Sequence, residues 1–315
     1  MNILLTGAFG NLGLVCLEQA LSQGFSVIAV DIPSKQNRQL ANRFNKQCRV
    51  ILTNYQDFLW LENHLQSIDA IIHLAAILPP LTETNAGLSH QVNIKLTQKI
   101  IEKLNRINRK PIFIYPSSVT VFGLGGKQPK KVTDKPWATD NYTQQKLTIE
   151  STLKESQIPY AILRIGVSVD ARTLKTDWQT LKQLLNTHPD NPLEYIHPKD
   201  VARAFIQAAQ EKTALRKIHL IGGGSTCQIT QYDFLSTAFN ALGLSLPKEM
   251  MGKQAFYTHW MDTTESQQVL RYQQLTFSDY QKDMRNTLQI IRAFIFPFRW
   301  LINPLLKYLL KKGLM

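Results

Sequence analysis

The stretch Thr6-Gly7-Ala8-Phe9-Gly10-Asn11-Leu12-Gly13 carries an apolar run, Asn2 to Thr6, into a helix-periodic segment from about Leu12 to Gln23. Each of its three glycines has a physical use at a strand-to-helix turn. Gly7 permits the tight turn, Gly10 lets backbone N–H groups approach a pyrophosphate, and Gly13 lets the helix pack close to the strand. The helix N-terminus favours an anion. Phe9, Asn11 and Leu12 complete the loop and are expected to border a dinucleotide. Asp31 ends the next apolar run, FSVIAVD, 18 residues beyond Gly13. A carboxylate there accepts hydrogen bonds from an adenosine ribose, which favours NAD. Lys35 and Arg38 follow closely, so NADP stays open.

Working outward, strand-length apolar runs alternate with periodic polar stretches: Asn2 to Thr6, Ser26 to Val30, Arg49 to Leu52, Ala70 to Leu74, Ile112 to Tyr115 and Tyr160 to Arg164. Helices are expected between them at Leu12 to Gln23, Trp60 to Gln66, Val92 to Asn105 and Tyr142 to Lys154. This rhythm predicts an α/β fold, a doubly wound, Rossmann-like parallel sheet covered on both faces. After Arg164 the rhythm loosens, with apolar patches at Glu194 to Ile196 and Ile218 to Ile221 and helical stretches at Pro198 to Gln210 and Gln231 to Leu242. The expected organisation is a dinucleotide-binding core over 1–165, a smaller substrate-side region over 166–284 interleaved with the end of the sheet, and a basic amphipathic tail over 285–315. The Gly-, Lys- and Pro-rich run Gly123 to Trp137 reads as a loop over the sheet's end.

Composition supports a folded protein. The chain has 315 residues, 44% hydrophobic and 19% charged, with 15 Gly and 14 Pro, which excludes collagenous and disordered classes. Three widely spaced cysteines, Cys16, Cys48 and Cys227, make neither a disulfide framework nor a CxxC site, so a reducing, cytoplasmic setting is expected. The N-terminus lacks the basic region of a signal peptide. His73, His90, His197 and the other histidines show no metal-ligand spacing, and no metal is expected.

Tyr142 and Lys146 stand at i and i+4, on one face of a helix. A nearby cation favours the phenolate, turning a poor base into a usable acid/base. The hydroxyl pair Ser117-Ser118 follows the strand Ile112 to Tyr115, beyond the carboxyl end where ligands of open parallel sheets lie.

Together these residues resemble the extended short-chain dehydrogenases/reductases, the NAD-dependent epimerase/dehydratase family. The resemblance rests on Thr6 to Gly13, Asp31, His73-Leu74-Ala75-Ala76, Val92-Asn93, Ser117 to Gly123, Tyr142 to Lys146, Leu163-Arg164 and His197 to Ala202. It implies that Ser118 holds a substrate oxygen, Tyr142 exchanges the proton, and Lys146 binds the nicotinamide ribose and tunes Tyr142. It further implies that Asn54 lies near the adenine, that Leu74, Ala75 and Ala76 line the cofactor groove, and that Asn93 serves the cofactor. The family's 4,6-dehydratases carry an Asp-Glu pair after the hydroxyl residue. Here Val119 and Thr120 stand in those places, which argues against dehydration. Val167-Ser168-Val169-Asp170 replaces the Asn-Val-Tyr-Gly run of many sugar-nucleotide enzymes, so a less polar substrate gains weight. The implied activity is hydride transfer at a secondary alcohol or ketone, as an epimerase-like enzyme or a simple dehydrogenase. One alternative is a membrane-surface, hydroxysteroid-dehydrogenase-like enzyme acting on an apolar lipid alcohol. Another, from a different class, is a non-catalytic dinucleotide sensor or a nucleic-acid-binding relative, although no basic patch interleaved with stacking aromatics supports nucleic acid as a partner.

The net charge is +13, and the six basic residues from Arg285 onward, with no acidic one, hold +6 of it. Arg285, Gln289, Arg292, Arg299, Asn303, Lys307 and Lys311 form a polar stripe against a wide apolar arc. Pro297 and Pro304 are expected to interrupt the helix, which disfavours a transmembrane span. The tail therefore reads as an interfacial helix on the inner face of an anionic membrane, with packing on the protein's own surface or a homodimer contact as the competing expectation.

Overall fold

In the computed structural model, residues 1–55, 57–170 and 178–311 are described. Seven parallel strands form the central sheet: β1 (Asn2–Thr6), β2 (Ser26–Asp31), β3 (Arg49–Leu52), β4 (Ala70–His73), β5 (Ile112–Ser118), β6 (Tyr160–Ile165) and β8 (Lys217–Ile221), in the order β3-β2-β1-β4-β5-β6-β8. Two short strands, β7 (Pro192–Glu194) and β9 (Gln228–Thr230), pair antiparallel outside it. The chain direction of travel along the sheet reverses between β1 and β4, so their carboxyl ends flank an open crevice, the usual place for a ligand in such sheets.

Strand residues alternate between two separate cores because successive side chains point to opposite faces. Ile3, Leu5, Ile72, Ala161 and Leu163 join the core under the helices Asn11–Ser22 and Pro198–Gln210. Leu4, Ile71, Phe113, Tyr160 and Ile162 join the core under Thr97–Asn105 and Asn141–Glu155. Burial on both faces explains why these strands read as unbroken apolar runs. A third core, with Leu193, Tyr195, Phe277, Tyr280 and Met284, belongs to the C-terminal part.

Several expectations shift in detail. The helix Lys35–Phe44 is absent from the sequence reading because only Leu40, Ala41 and Phe44 of its ten residues are apolar, and these pack on the core; Ser34 caps it by accepting from the Asn37 N–H at 3.1 Å. The helix expected over Trp60 to Gln66 shortens to Leu59–Glu62. The one expected over Val92 to Asn105 opens into a wide π turn, His90–Leu96, before the regular helix Thr97–Asn105. The apolar patch Glu194 to Ile196 is strand only at its first residue. Pro304 lies inside the helix Arg299–Lys311 and does not end it, whereas Pro297 stands in the turn Phe296–Phe298 that separates this helix from Phe277–Ile295. A proline removes one backbone donor, and in an exposed helix water can donate instead to the carbonyl left without it. Lys312 and the remaining tail residues lie outside the described residues.

Gly13 is the tightest point of the glycine loop. A Cβ on it would lie 2.0 Å from the Gly7 carbonyl oxygen and 2.9 Å from the Ala8 carbonyl carbon, both backbone atoms that cannot rotate away. Gly13→Ala should therefore push the helix off β1, destabilising the protein by about 1–3 kcal/mol. Thermal denaturation checks this, and a midpoint equal to that of the parent chain would refute the close-packing argument.

Candidate active site

The glycine loop is built for close backbone approach. Gly7 adopts φ 63°, and a Cβ there would lie 2.7 Å from the Ala75 nitrogen, so β1 and the segment after β4 touch backbone to backbone. The helix Asn11–Ser22 begins at Gly10, which offers no side-chain cap to its first N–H groups. These donors, at the positive end of the helix dipole, suit a diphosphate. Phe9 lies in the turn with its ring buried against Phe44, and Asn11 and Leu12 open the helix Asn11–Ser22. Leu74 and Ala75 are tied to β1, the Leu74 N–H donating to the Thr6 carbonyl at 3.1 Å and the Ala75 N–H to Thr6 Oγ1 at 3.2 Å. Leu74 and Ala76 are half-buried along the crevice.

Asp31 is buried at the end of β2. Its Oδ2 accepts from the Phe9 N–H at 2.8 Å and its Oδ1 from the Ile32 N–H at 2.7 Å, so it bolts the glycine loop to β2. Burial raises its pKa and these donors pull it back. Lys35 and Arg38 stand exposed on the following helix.

Asn54 is exposed, and the neighbouring Tyr55 is the side chain that reaches the loop. The Tyr55 hydroxyl donates to the Val30 carbonyl at 3.2 Å and accepts from the Gly7 N–H at 3.4 Å, with its backbone in the left-handed region at φ 60°. Sequence reasoning missed Tyr55; an aromatic one residue after the expected position was the available signal. Asn93 has its carboxamide fully engaged: Oδ1 accepts from the Ile77 N–H at 2.8 Å, and Nδ2 donates to the Ile77 carbonyl at 2.9 Å and to Gln145 Oε1 at 2.7 Å. Its observed work is to clamp the segment after β4 to the helix Asn141–Glu155, and the wide turn at His90–Leu96 carries it there. His73, at the end of β4, is buried between Thr6 Oγ1 at 2.8 Å and Thr97 Oγ1 at 3.0 Å. Burial, and to a lesser degree Lys146, brings its pKa down to about 3, so the ring is neutral.

The second half of the site comes from β5 and the helix Asn141–Glu155. Asp140 caps that helix through the Thr143 N–H at 2.7 Å, and Glu83 accepts from the Asn141 and Tyr142 N–H groups, each at 3.2 Å. Tyr142 thus sits in a doubly held first turn. Ser118 Oγ accepts from the Thr120 N–H at 3.2 Å and from the Thr120 hydroxyl at 2.9 Å, leaving its own proton to donate. Burial pushes the Tyr142 phenol up to about 12, while a hydrogen bond with Ser118 lowers it. The Lys146 ammonium donates to the Pro116 carbonyl at 2.7 Å and lies 5.5 Å from the centre of the Tyr142 ring. Burial brings Lys146 down to about 8, opposed by Glu150. Ser118, Tyr142 and Lys146 are brought together beside the crevice, and Ser117 points elsewhere.

Ser117 Oγ donates to Glu150 Oε1 at 2.6 Å. Glu150 is held from the other side by Arg164, whose Nε donates to Oε1 at 3.0 Å and Nη2 to Oε2 at 2.7 Å. Register explains the meeting, since Ser117 on β5 is directly opposite Arg164 on β6. Tyr142, Lys146 and Glu150 recur at intervals of four along one helix, so the buried ion pair lies directly beneath the phenol and ammonium. The third member of that spacing is visible in the sequence, but its cationic partner is not.

The sequence model of the NAD dependent epimerase/dehydratase family matches residues 3–169, just over half of the chain. Among curated relatives, a UDP-glucose 4-epimerase of Erwinia amylovora is 28% identical over 163 residues, 49% of this chain and 48% of the relative. A D-erythronate dehydrogenase of Haemophilus influenzae is 27% identical over 162 residues, 49% of this chain and 50% of the relative. The matched part thus spans about half the length of each. Among solved structures, a UDP-glucuronic acid 4-epimerase from Bacillus cereus aligns with TM-score 0.77 at 22% identity, covering 92% of this chain and 100% of that one. A dTDP-glucose 4,6-dehydratase from Streptomyces venezuelae aligns with TM-score 0.77 at 17% identity, covering 93% and 98%. At these identities the structural likeness establishes the shared fold. With the glycine loop, the acid at the end of β2 and the family match on one continuous core, this chain belongs to the NAD-dependent epimerase/dehydratase family.

Proposed function

We propose that this protein is an NAD-dependent enzyme that moves a hydride at a secondary alcohol or ketone, as an epimerase or as a simple dehydrogenase or reductase. The observation that carries the reading is the convergence of Ser118, Tyr142 and Lys146 beside the crevice at the carboxyl ends of β1, β4 and β5. A bound nicotinamide dinucleotide supplies a reversible hydride acceptor. Gly7 and Gly13 shape the turn, Gly10 would let backbone N–H groups approach its diphosphate, and Asp31 would hold its ribose; a carboxylate there disfavours a second phosphate, so NAD is preferred over NADP.

The chain's own groups handle the proton. Ser118 donates to the substrate oxygen, and Tyr142, close to it, takes or returns the hydroxyl proton. Lys146 holds a positive charge beside the phenol, which lowers the free energy of the phenolate. Val119 and Thr120 follow Ser118 where elimination of water would want carboxyl groups, so redox or epimerisation chemistry is favoured over dehydration. The dehydratase among the structural neighbours shows that the fold itself does not discriminate between them.

Two substrate classes fit. A nucleotide sugar follows from the family relatives. An apolar alcohol is favoured by the exposed Leu78, Leu81, Leu124 and Trp137 on the segments bordering the first turn of the Tyr142 helix. The basic, apolar C-terminal helices add a reading of peripheral attachment to an anionic membrane, in competition with a homodimer contact.

The deciding experiment is to denature the purified protein and identify any released nucleotide by mass and absorbance. NAD carried through purification is expected for an epimerase, which need not exchange its cofactor. An empty protein that binds added NADH points to a dehydrogenase or reductase. Failure to bind any dinucleotide would overturn the proposal.

A further inference from the structure

From the C-terminal helices we infer a bilayer-contacting stripe: Ile290, Phe294, Phe298, Leu301, Leu305 and Tyr308 lie in the headgroup–acyl boundary of an anionic membrane. This rests on the membrane reading of residues 285–315 and names the side chains that make it.

The helix Phe277–Ile295 changes roles partway along. Phe277, Tyr280, Met284 and Leu288, at spacings of three, four and four, are buried against the C-terminal core. Beyond Leu288 full burial stops, and Ile295, Ile302 and Leu306 are only half-buried. Ile290 and Phe294 share one face of the first helix, and Leu301, Leu305 and Tyr308, at spacings of four and three, share one face of the second, with Phe298 in the turn between them. All six are exposed, Ile290 at 68% and Phe294 at 75%, and Trp300 beside them at 68%.

The polar contacts with residues 240–249 come from other positions of the segment. Arg292 donates to the Asn240 carbonyl at 3.4 Å, Asn303 Oδ1 accepts from the Ser245 N–H at 3.2 Å, and Lys307 pairs with Glu249 at 3.6 Å. The segment is therefore laid across residues 240–249, with Phe296 against Gly243 and the six stripe residues exposed. Exposed apolar surface of this extent marks an interaction site.

Charge selects the occupant. From Arg285 onward the chain has six cations and no acid; Lys307 is paired with Glu249, and the protein as a whole carries +13. A second copy would bring like charge to this face; anionic lipid brings the opposite charge. Aromatic and basic side chains together on an amphipathic helix suit the interface plane. Among the described residues no helix is long and apolar enough to cross a membrane.

The test is co-sedimentation of the full chain with phosphatidylcholine vesicles, with and without phosphatidylglycerol. Phe294→Ser/Phe298→Ser and Arg285→Gln/Arg299→Gln variants are compared, with dinucleotide binding measured alongside as a check of folding. The parent chain is expected to bind the anionic vesicles, the Phe variant about tenfold more weakly, and the Arg variant with little preference for phosphatidylglycerol. Binding by the parent with no loss in the Phe variant would overturn the stripe while leaving the membrane reading standing. No binding by the parent would overturn both, and self-association in sedimentation equilibrium would then identify a second copy as the occupant.

Discussion

Tyr142→Phe should lower kcat by about a hundred- to ten-thousand-fold, the usual contribution of a positioned acid/base, while dinucleotide binding stays near that of the parent chain. The substitution removes one oxygen from a half-buried ring and leaves the capped first turn in place. The pH profile sharpens the test. Burial pushes the Tyr142 phenol up to about 12 and brings the Lys146 ammonium down to about 8. Lys146 is cationic below about pH 8 and loses its charge as the pH rises through that value, and with it the support it gives the phenolate. The parent enzyme should therefore show an alkaline decline in kcat/KM beginning near pH 8, and Tyr142→Phe should flatten it. Turnover unchanged by the substitution, on any substrate found, would refute the assigned role.

The second large effect lies one layer below. Glu150→Leu should destabilise the protein by about 3–5 kcal/mol, because it leaves Arg164 charged, fully buried and without its carboxylate partner. Both side chains are only 1% exposed, so solvent screening does not soften the loss. Ser117 loses its acceptor in the same step, and one nitrogen of Arg164, Nη1, is already without a hydrogen-bond partner. Glu150→Leu/Arg164→Met should recover most of the stability, since apolar residues of similar volume replace a buried pair at little net cost. Urea denaturation of the two variants measures this. A single variant within 1 kcal/mol of the parent, or a double variant worse than the single, would show that the pair does not hold β5, β6 and the Tyr142 helix together as described.

Much of this was legible along the chain because the signals are local. A strand, a glycine loop and a helix are consecutive, so Thr6 to Gly13 announces the crevice without any distant contact. The six principal strands are readable because burial on both faces demands apolar runs. Tyr142 and Lys146 are readable because four residues make about one helical turn.

What the local signals miss is polar or distant. The helix Lys35–Phe44 is mostly polar, with only Leu40, Ala41 and Phe44 to mark its inner face. Asn93 sits in the expected position, but its partners Ile77 and Gln145 come from other segments, and only the folded chain shows its carboxamide engaged with them. Tyr55 reaches the glycine loop through a left-handed backbone that no spacing rule foresees. The tail illustrates the same division: its composition predicts an amphipathic helix, but only packing shows that the apolar side chains through Leu288 are buried while Ile290, Phe294, Phe298, Leu301 and Leu305 beyond it are exposed.

The sequence by itself determined the layered α/β architecture, the glycine loop and the Tyr-Lys helix face, since each depends on neighbours in the chain and on a fixed periodicity. The tertiary structure alone decided that Ser117 faces Glu150 while Ser118 faces Tyr142, and that Arg164 closes the pair beneath them. Strand register sets those meetings, and register is a property of two strands 40 or more residues apart in sequence, Ser117 opposite Arg164, which no local pattern encodes.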